Sequence, residues 1–370
     1  MKIGVPSEVK VHEYRVGLVP GGAAAFVSDG HEVFVQRGAG LGAGIADSDY
    51  EAVGCTILET ADDVWSTADM IMKVKEPIAE EYPRMQRGQL VYTYFHLAAV
   101  PELATVLIEK EISAVAYETI QLPNGALPLL QPMSEVAGRM AVQVGARCLE
   151  KEHGGRGVLL GGIPGVQRGN VVILGGGTVG TEAAKMAMGM GANVTILDIN
   201  LQRLRYLDDV FGNQMTTLYS NPQTVYEAVV KADLVIGAVL IPGARAPHLV
   251  TRDHLRDMLP GSVVVDVSVD QGGCIETCRP TTHDDPTFVV DDVVHYCVAN
   301  MPGAVSRTST YGLTNTTLSY GRALAGKGFV DAVRSDEALA LGVNTHGGHV
   351  TYEAVARDLN LPYRPLAQTL

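Results

Sequence analysis

Cysteine is scarce and irregular in this chain. The five residues, at 55, 148, 274, 278 and 297, contain no Cys-x-x-Cys pair, and Cys274 and Cys278 have no second ligand pair at zinc-site spacing. An odd set of this kind argues against a disulfide framework and for free thiols in a reducing cytosol. Long apolar runs are missing as well. None approaches the ~20 residues of a membrane span, and the N-terminal "MKIGVPSEVK" lacks the apolar stretch of a secretory signal. A soluble, cytoplasmic protein is expected. Positive charge is short: 28 Lys and Arg stand against 41 Asp and Glu, for a net charge of −13. Such a chain repels phosphate backbones, which sets nucleic acid aside as a partner but leaves small anions open, because they see only local charge. Aromatics make up only 6% of residues while glycine numbers 41, a balance that suits α/β folds with tight turns.

At 370 residues the chain is too long for one simple core, so two domains are expected. Its first part alternates short apolar runs with helical patterns. Candidate strands are "KIGVP", "HEVFVQ", "CTIL", "DMIMKVK", "QLVYTYF" and "SAVAYETI"; "PGGAAAFVSDG" and "VPELATVLIEKE" are helices between them. This alternation implies βαβ units and a mostly parallel sheet. "MSEVAGRMAVQVGARCLEKEHGG", from Met133, reads as a connecting helix with Ser134 as its N-cap. A second α/β series follows: the strands "NVVIL", "ANVTILD", "ADLVIGAVL", "GSVVVDVSVD" and "VVHYCVANMP" are near-continuous Val/Ile/Leu runs, as for strands covered on both faces. After Pro302 the chain turns to Thr, Ser and Gly, with helical pattern resuming from about Thr314 and no clear sheet. A tail of that size makes a poor domain alone and is expected to pack back on the first one. The fold class is therefore α/β, two Rossmann-like domains with parallel sheets: a discontinuous one over 1–133 and 306–370, and a central one over 134–305.

"VVILGGGTVG" places Gly175, Gly177 and Gly180 in G-x-G-x-x-G spacing. The spacing alone is a weak signal in a glycine-rich chain. Here a strand precedes it, a helix follows, and Asp198 ends the next strand, 18 residues after Gly180. Together these form a dinucleotide-binding fingerprint. Gly175 allows the tight turn, Gly177 lets the backbone approach a pyrophosphate, and Gly180 lets helix and strand pack closely. The helix N-terminus offers free N–H groups and partial positive charge. Asp198 can bond a ribose diol and would repel a 2′-phosphate, which favours NAD over NADP; Arg203 and Arg205 nearby weigh the other way.

Five further positions stand where parallel sheets present ligands, or close to them. Arg15 follows the first strand in "HEYRVGLVP", where a solvated loop arginine is the commoner case. His96 closes "QLVYTYFH", where a satisfied core histidine is an equal alternative. Asp270 precedes "QGG" at the end of "GSVVVDVSVD", as a turn-forming aspartate also would. Lys73 and Lys75, in "MIMKVKEP", have the same parity, so an extended strand puts both on one face; solvated edge lysines would look the same. His346 and His349, with no carboxylate or thiol beside them, do not make a metal site.

These stretches closely resemble the alanine dehydrogenase / pyridine nucleotide transhydrogenase family. "KIGVPSEVKVHEYRVGLVP", "KVKEP", "YFHLAA", "LPLLQPMSEVAGRMAVQVGA", "VVILGGGTVG", "VDVSVDQGGC", "RPTTHDDPTF" and "YCVANMPGAV" carry the resemblance over about residues 1–320. It implies a discontinuous substrate domain, a central NAD domain and, typically, a homo-hexamer. The reaction implied is reversible oxidative deamination of L-alanine to pyruvate and ammonium with NAD. Residue by residue, it makes Arg15 the clamp on the substrate carboxylate, which suits a guanidinium fork. Lys75 becomes a substrate-binding lysine, and Asn300 lies near the substrate. His96 becomes the acid/base, a role that suits an imidazole near neutral pH, and Asp270 faces the nicotinamide and the reacting nitrogen. Ser134, Gly175, Gly177, Thr178, Val179, Gly180, Asp198, Arg203, Ser220, Val239, Leu240, Val267, Asp270, Val298 and Met301 match cofactor-contact positions.

The chain departs from the family pattern at Ser306 and Ser319, where proline is usual, and at Gly312, where alanine is usual; these changes are expected to loosen the return segment. No acidic–histidine pair follows "LSYGRALAGKG", so no metal is expected. A competing reading is the NAD-binding soluble subunit of a proton-translocating transhydrogenase, which needs no amino-acid pocket; joint presence of Arg15, Lys75, His96 and Asp270 favours the dehydrogenase. A saccharopine-type dehydrogenase would need a larger pocket, to which nothing in the sequence points.

Overall fold

Alternating apolar runs and helical stretches build two parallel-dominated sheets in the computed structural model, which describes residues 1–239, 247–269 and 272–370. The first sheet holds β1 (Lys2–Val5), β2 (Glu32–Gln36), β3 (Thr56–Leu58), β4 (Met70–Met72), β5 (Leu90–Thr93) and β6 (Ser113–Ala116). The second holds β7 (Asn170–Leu174), β8 (Asn193–Asp198), β9 (Thr216–Tyr219), β10 (Leu234–Gly237), β11 (Val263–Asp266), β12 (Thr287–Val290) and β13 (Val293–Tyr296). From the tail come β14 (Val343–His346) and β15 (His349–Val350). The chain divides into two compact units, one of Met1–Met133 with Gly303–Leu370 and one of Ser134–Pro302.

The first sheet runs β15-β14-β6-β5-β4-β1-β2-β3. β1 to β6 are mutually parallel, whereas β14 pairs antiparallel with β6 and β15 antiparallel with β14. The second runs β12-β13-β11-β10-β7-β8-β9, parallel except for β12 against β13. Both contain the doubly wound order 3-2-1-4-5-6, which reverses between β1 and β4 in one unit and between β7 and β10 in the other. Ligands of such sheets bind outside the carboxyl ends of the strands at that reversal. Central strands are buried on both faces: Met70, Ile71 and Met72 of β4 and Val263 to Val265 of β11 are fully shielded.

Four expectations need correction. Ser134 is not an N-cap, because the helix Gln131–Cys148 begins three residues earlier and Ser134 lies inside its first turn. The tail does contain sheet, since β14 and β15 extend the first sheet. Its helix starts well before Thr314, running over Ser306–Lys327. The Thr-rich face of that helix is buried with its hydroxyls bonded: Thr310 Oγ1 accepts the Val16 N–H, and Thr314 Oγ1 donates to Thr310 O at 2.8 Å. Finally, the extended strand expected to carry both Lys73 and Lys75 stops at Met72. All five cysteines are free thiols. No helix among the described residues is long and apolar enough to cross a membrane.

Candidate functional site

In the first unit, β4 ends at the sheet's reversal, and the chain that leaves it meets the chain that leaves β1. Gly17 is packed so tightly there that a Cβ on it would lie 2.6 Å from Met72 O and 3.0 Å from Lys73 Cα. This packing lays the segment carrying Arg15 across the end of β4. Arg15 is 3% exposed. Its Nε donates to Glu13 Oε1 at 2.7 Å and its Nη2 to Glu13 Oε2 at 2.5 Å, a fork-on-fork pair, while Nη1 faces Met133 Sδ at 3.1 Å. The buried arginine is thus a built guanidinium rather than a solvated loop residue. The return helix Ser306–Lys327 holds this segment: the Val16 N–H donates to Thr310 Oγ1 at 3.2 Å.

Lys73 and Lys75 have different environments. Lys73 is fully buried, its Nζ 3.3 Å from Glu8 Oε2 and 2.8 Å from Glu81 Oε1. Burial pulls its pKa down, but the two carboxylates outweigh that and hold it above the ordinary lysine value. Lys75 keeps partial contact with solvent, and no ion pair of its Nζ occurs among the described residues. Burial first, and then the Arg15 guanidinium, hold the Lys75 pKa below its ordinary value, against opposing pulls from Glu76 and Glu13.

His96 lies three residues past β5, exposed and in the left-handed backbone region at φ 47°. That conformation is uncommon for a side chain with a Cβ. Glu118, on the turn after β6, maintains it by accepting the N–H groups of Phe95 (3.1 Å) and His96 (2.5 Å). The imidazole stacks on Tyr94 with ring centroids 5.7 Å apart and planes within 7°; Tyr94 Oη in turn donates to Leu129 O at 2.6 Å. The core-histidine alternative therefore fails, since this ring is exposed.

In the second unit the glycine turn joins β7 to the helix Thr178–Gly189, with Thr178 and Val179 opening the helix. Gly175 has φ +101°, and a Cβ on it would lie 2.7 Å from Ala238 O and 3.2 Å from Val239 Cγ2, which places Val239 against the turn. A Cβ on Gly180 would overlap Gly175 O, whereas one on Gly177 would meet nothing within 4 Å. The first glycine permits the turn, the third permits helix–strand contact, and the middle one faces open space that a ligand's phosphates can occupy. Asp198 Oδ2 accepts the Gly176 N–H at 2.6 Å and Oδ1 the Asn200 N–H at 2.7 Å, so its carboxylate is fixed at the strand end. Arg203 Nε donates to Gly176 O at 2.5 Å and Nη2 to Thr181 Oγ1 at 2.7 Å, which draws its guanidinium onto the turn. The Ser220 N–H bonds Asp198 O at 3.0 Å. Donor groups at a helix start, an open glycine and a fixed carboxylate fit a dinucleotide.

Elsewhere in this unit, the Val267 N–H donates to Gly237 O at 3.0 Å at the end of β10, and Val298 bridges to Thr281. Asn300 is left-handed at φ 67°, its carbonyl 3.2 Å from His283 Nε2, and Met301 is 3% exposed. Ser134 is the first residue of the unit. Asp270 and Leu240 lie outside the described residues. Asp266, a residue that sequence reasoning missed, holds the described residues Ser268, Cys274 and Ile275. Buried at the end of β11, its carboxylate accepts the N–H groups of Ser268 (3.0 Å), Cys274 (2.9 Å) and Ile275 (3.2 Å) and the Ser268 hydroxyl (2.9 Å). Glu8, Glu13, Glu81 and Glu118 were missed in the same way. Glu8 and Glu118 follow an apolar strand by two or three residues, and Glu13 and Glu81 lie in the connections; in either place a carboxylate that accepts N–H groups looks like any surface acid.

Comparison with known proteins places this geometry. The alanine dehydrogenase/PNT N-terminal domain matches residues 4–137 and the alanine dehydrogenase/PNT C-terminal domain residues 141–353. The chain belongs to this family. It is 57% identical to an alanine dehydrogenase of Methanococcus maripaludis over the whole of both chains, and 57% identical to one of Bacillus subtilis, covering 100% of this chain and 98% of the other. Among solved structures, it is similar to an L-alanine dehydrogenase with a TM-score of 0.95 and 53% identity, covering 97% of this chain and 99% of the other. A transhydrogenase from Sinorhizobium meliloti follows the same fold with a TM-score of 0.83 at 26% identity, covering 95% of this chain and 100% of the other.

Proposed function

We propose that the chain is an NAD-dependent L-alanine dehydrogenase, which converts L-alanine, NAD⁺ and water to pyruvate, ammonium, NADH and a proton, and runs the reverse. The observation that carries this reading is identity above half, end to end, with alanine dehydrogenases of an archaeon and a bacterium. A nicotinamide dinucleotide is the family's cofactor; when bound it accepts or returns the hydride. The residues that would hold it are the 175–180 turn, Asp198 and the helix start at Thr178. NAD rather than NADP is favoured by Asp198, whose charge opposes a 2′-phosphate, and by Arg203, whose guanidinium is engaged with Gly176 O and Thr181 Oγ1. The first unit is read as the substrate domain and the second as the cofactor domain.

The chain's own residues divide the work as follows. Arg15 and Lys75 bind the substrate carboxylate and the carbonyl or amine, and Asn300 is read as a further substrate contact. Arg15 arrives already oriented by Glu13, so little side-chain freedom is lost on binding. His96 moves protons at the reacting carbon's oxygen or nitrogen, and its exposure gives it exchange with solvent. Asp270 stabilises the cationic nitrogen forms. A cytoplasmic homo-hexamer completes the reading, on the family's habit.

The test is NADH formation at 340 nm with L-alanine, glycine, L-serine and L-lysine, and size-exclusion with light scattering for assembly. Alanine-dependent NADH is expected. Hydride exchange between two nucleotides without any alanine-dependent NADH would overturn the proposal in favour of a transhydrogenase subunit.

A further inference from the structure

The three residues that leave β4 have every main-chain polar group accounted for. The Lys73 N–H donates to Tyr92 O and the Tyr94 N–H to Val74 O, both at 3.2 Å, so the segment keeps its hold on the chain of β5. Tyr117 Oη donates to Lys73 O at 3.0 Å, and Thr93 Oγ1 to Lys75 O at 3.0 Å. The two remaining groups, the N–H of Val74 and that of Lys75, both go to one carboxylate: Glu8 accepts them at 2.7 Å on Oε1 and 3.3 Å on Oε2. Main-chain groups near a crevice can be satisfied by water. Here fixed side chains take that place at both ends of Lys75, and those side chains are sealed: Thr93 is fully buried and the Glu8 side chain is 2% exposed.

We propose that Glu8 and Thr93 are positioning residues for Lys75, gripping its main chain from the N–H side and the C=O side so that its ammonium starts from one place. The proposal rests on the reading of Lys75 as a substrate ligand. A lysine has a long flexible stem and a point charge without a fork, so it can be aimed only by fixing where the stem begins. Lys73 is the third member. Its buried ammonium lies 3.3 Å from the same Glu8 oxygen that accepts the Lys75 N–H, and so holds that sealed carboxyl group in place. The segment that leaves β4 thus spends one lysine on the clamp and presents the other to the ligand.

The experiment measures the KM of pyruvate and of NADH, together with the dissociation constant of pyruvate from the NAD⁺-loaded enzyme by calorimetry. Thr93→Val, which removes only the hydroxyl, is expected to weaken pyruvate about threefold, and Glu8→Gln about tenfold, because the amide can no longer accept at both oxygens or hold Lys73. NADH KM should be unchanged in both, and Thr93→Ser should restore the parental pyruvate value. In a Lys75→Met background, Thr93→Val should weaken pyruvate no further, because the clamp then holds nothing that touches substrate. Parental pyruvate affinity in Thr93→Val, or the same threefold loss persisting on top of Lys75→Met, would overturn the clamp. If Glu8→Gln does not fold, the Thr93 pair decides alone. If Lys75→Met itself keeps parental pyruvate affinity, the substrate reading of Lys75 falls and the clamp falls with it; a damaged Lys75→Met beside an unaffected Thr93→Val overturns the clamp only.

Discussion

Lys73 Nζ lies 2.8 Å from Glu81 Oε1, with the lysine side chain wholly shielded and the glutamate 2% exposed. Removing the ammonium would leave the buried Glu8 and Glu81 side chains without the partner they share. Lys73→Met is therefore expected to cost about 3–5 kcal/mol of stability, read as a loss of soluble, cooperatively melting protein. Lys75→Met should behave in the opposite way. Burial and Arg15 disfavour its charged form, so its removal should raise the melting temperature at neutral pH while pyruvate turnover collapses. Equal loss of stability in both variants would contradict this division.

The same shift gives a pH dependence. With the folded pKa of Lys75 below its ordinary value, the unfolded chain binds the proton more tightly. This group's contribution therefore makes stability rise with pH across the window between the lowered value and the ordinary 10.5. Binding runs the other way: pyruvate KM should rise as pH climbs through the lowered value. Lys75→Arg, which stays charged, should flatten that alkaline rise.

His96→Asn tests the acid/base without disturbing the turn, because asparagine tolerates the left-handed conformation that His96 adopts. Turnover should fall by about 10²–10⁴, with the melting temperature and NADH KM near parental values. Unchanged turnover would remove His96 from the mechanism.

Asp198→Ala deletes both the acceptor for the Gly176 N–H and the charge proposed to oppose a 2′-phosphate. The ratio of kcat/KM for NAD over NADP should narrow by about tenfold or more. A constant ratio would assign cofactor choice to other residues.

Gly312 sits inside the helix Ser306–Lys327, and a Cβ there would meet only Pro132 Cβ, at 3.8 Å. Gly312→Ala should therefore stabilise the chain by about 0.5–1 kcal/mol, seen as a melting temperature raised by about 2 °C. A lowered melting temperature would show that the position needs glycine for another reason.

The fold class and the glycine fingerprint were legible because both rest on local pattern: apolar runs of strand length, and a turn whose steric demands only glycine meets. Elements that rest on distant partners were hidden. β9 (TTLY) and β12 (TFVV) are short edge strands, half exposed, with no alternation to mark them. β14 (VNTH) reads as polar, yet Asn344 and Thr345 are buried and bonded, Thr345 Oγ1 to Ile112 O at 2.9 Å and Asn344 Nδ2 to Thr119 Oγ1 at 2.8 Å. The candidate site divided in the same way. Arg15, Lys75 and His96 stood out as charged or titratable groups at strand ends, whereas Glu8 and Glu118 act through backbone groups 66 and 22 positions away, and Glu81 through the buried Lys73 ammonium, none of which local pattern reveals.

The order in which the chain is made adds a final constraint. The second unit is one uninterrupted stretch, Ser134–Pro302, but the first cannot finish its sheet until β14 arrives from the tail. A ribosome thus delivers the whole of the second unit while β6 still offers an open edge and the Val16 N–H still awaits Thr310. The nascent first unit is the aggregation-exposed half of this protein, and the arrival of the tail, rather than synthesis of its first 133 residues, is the moment at which the Arg15 segment is locked in place.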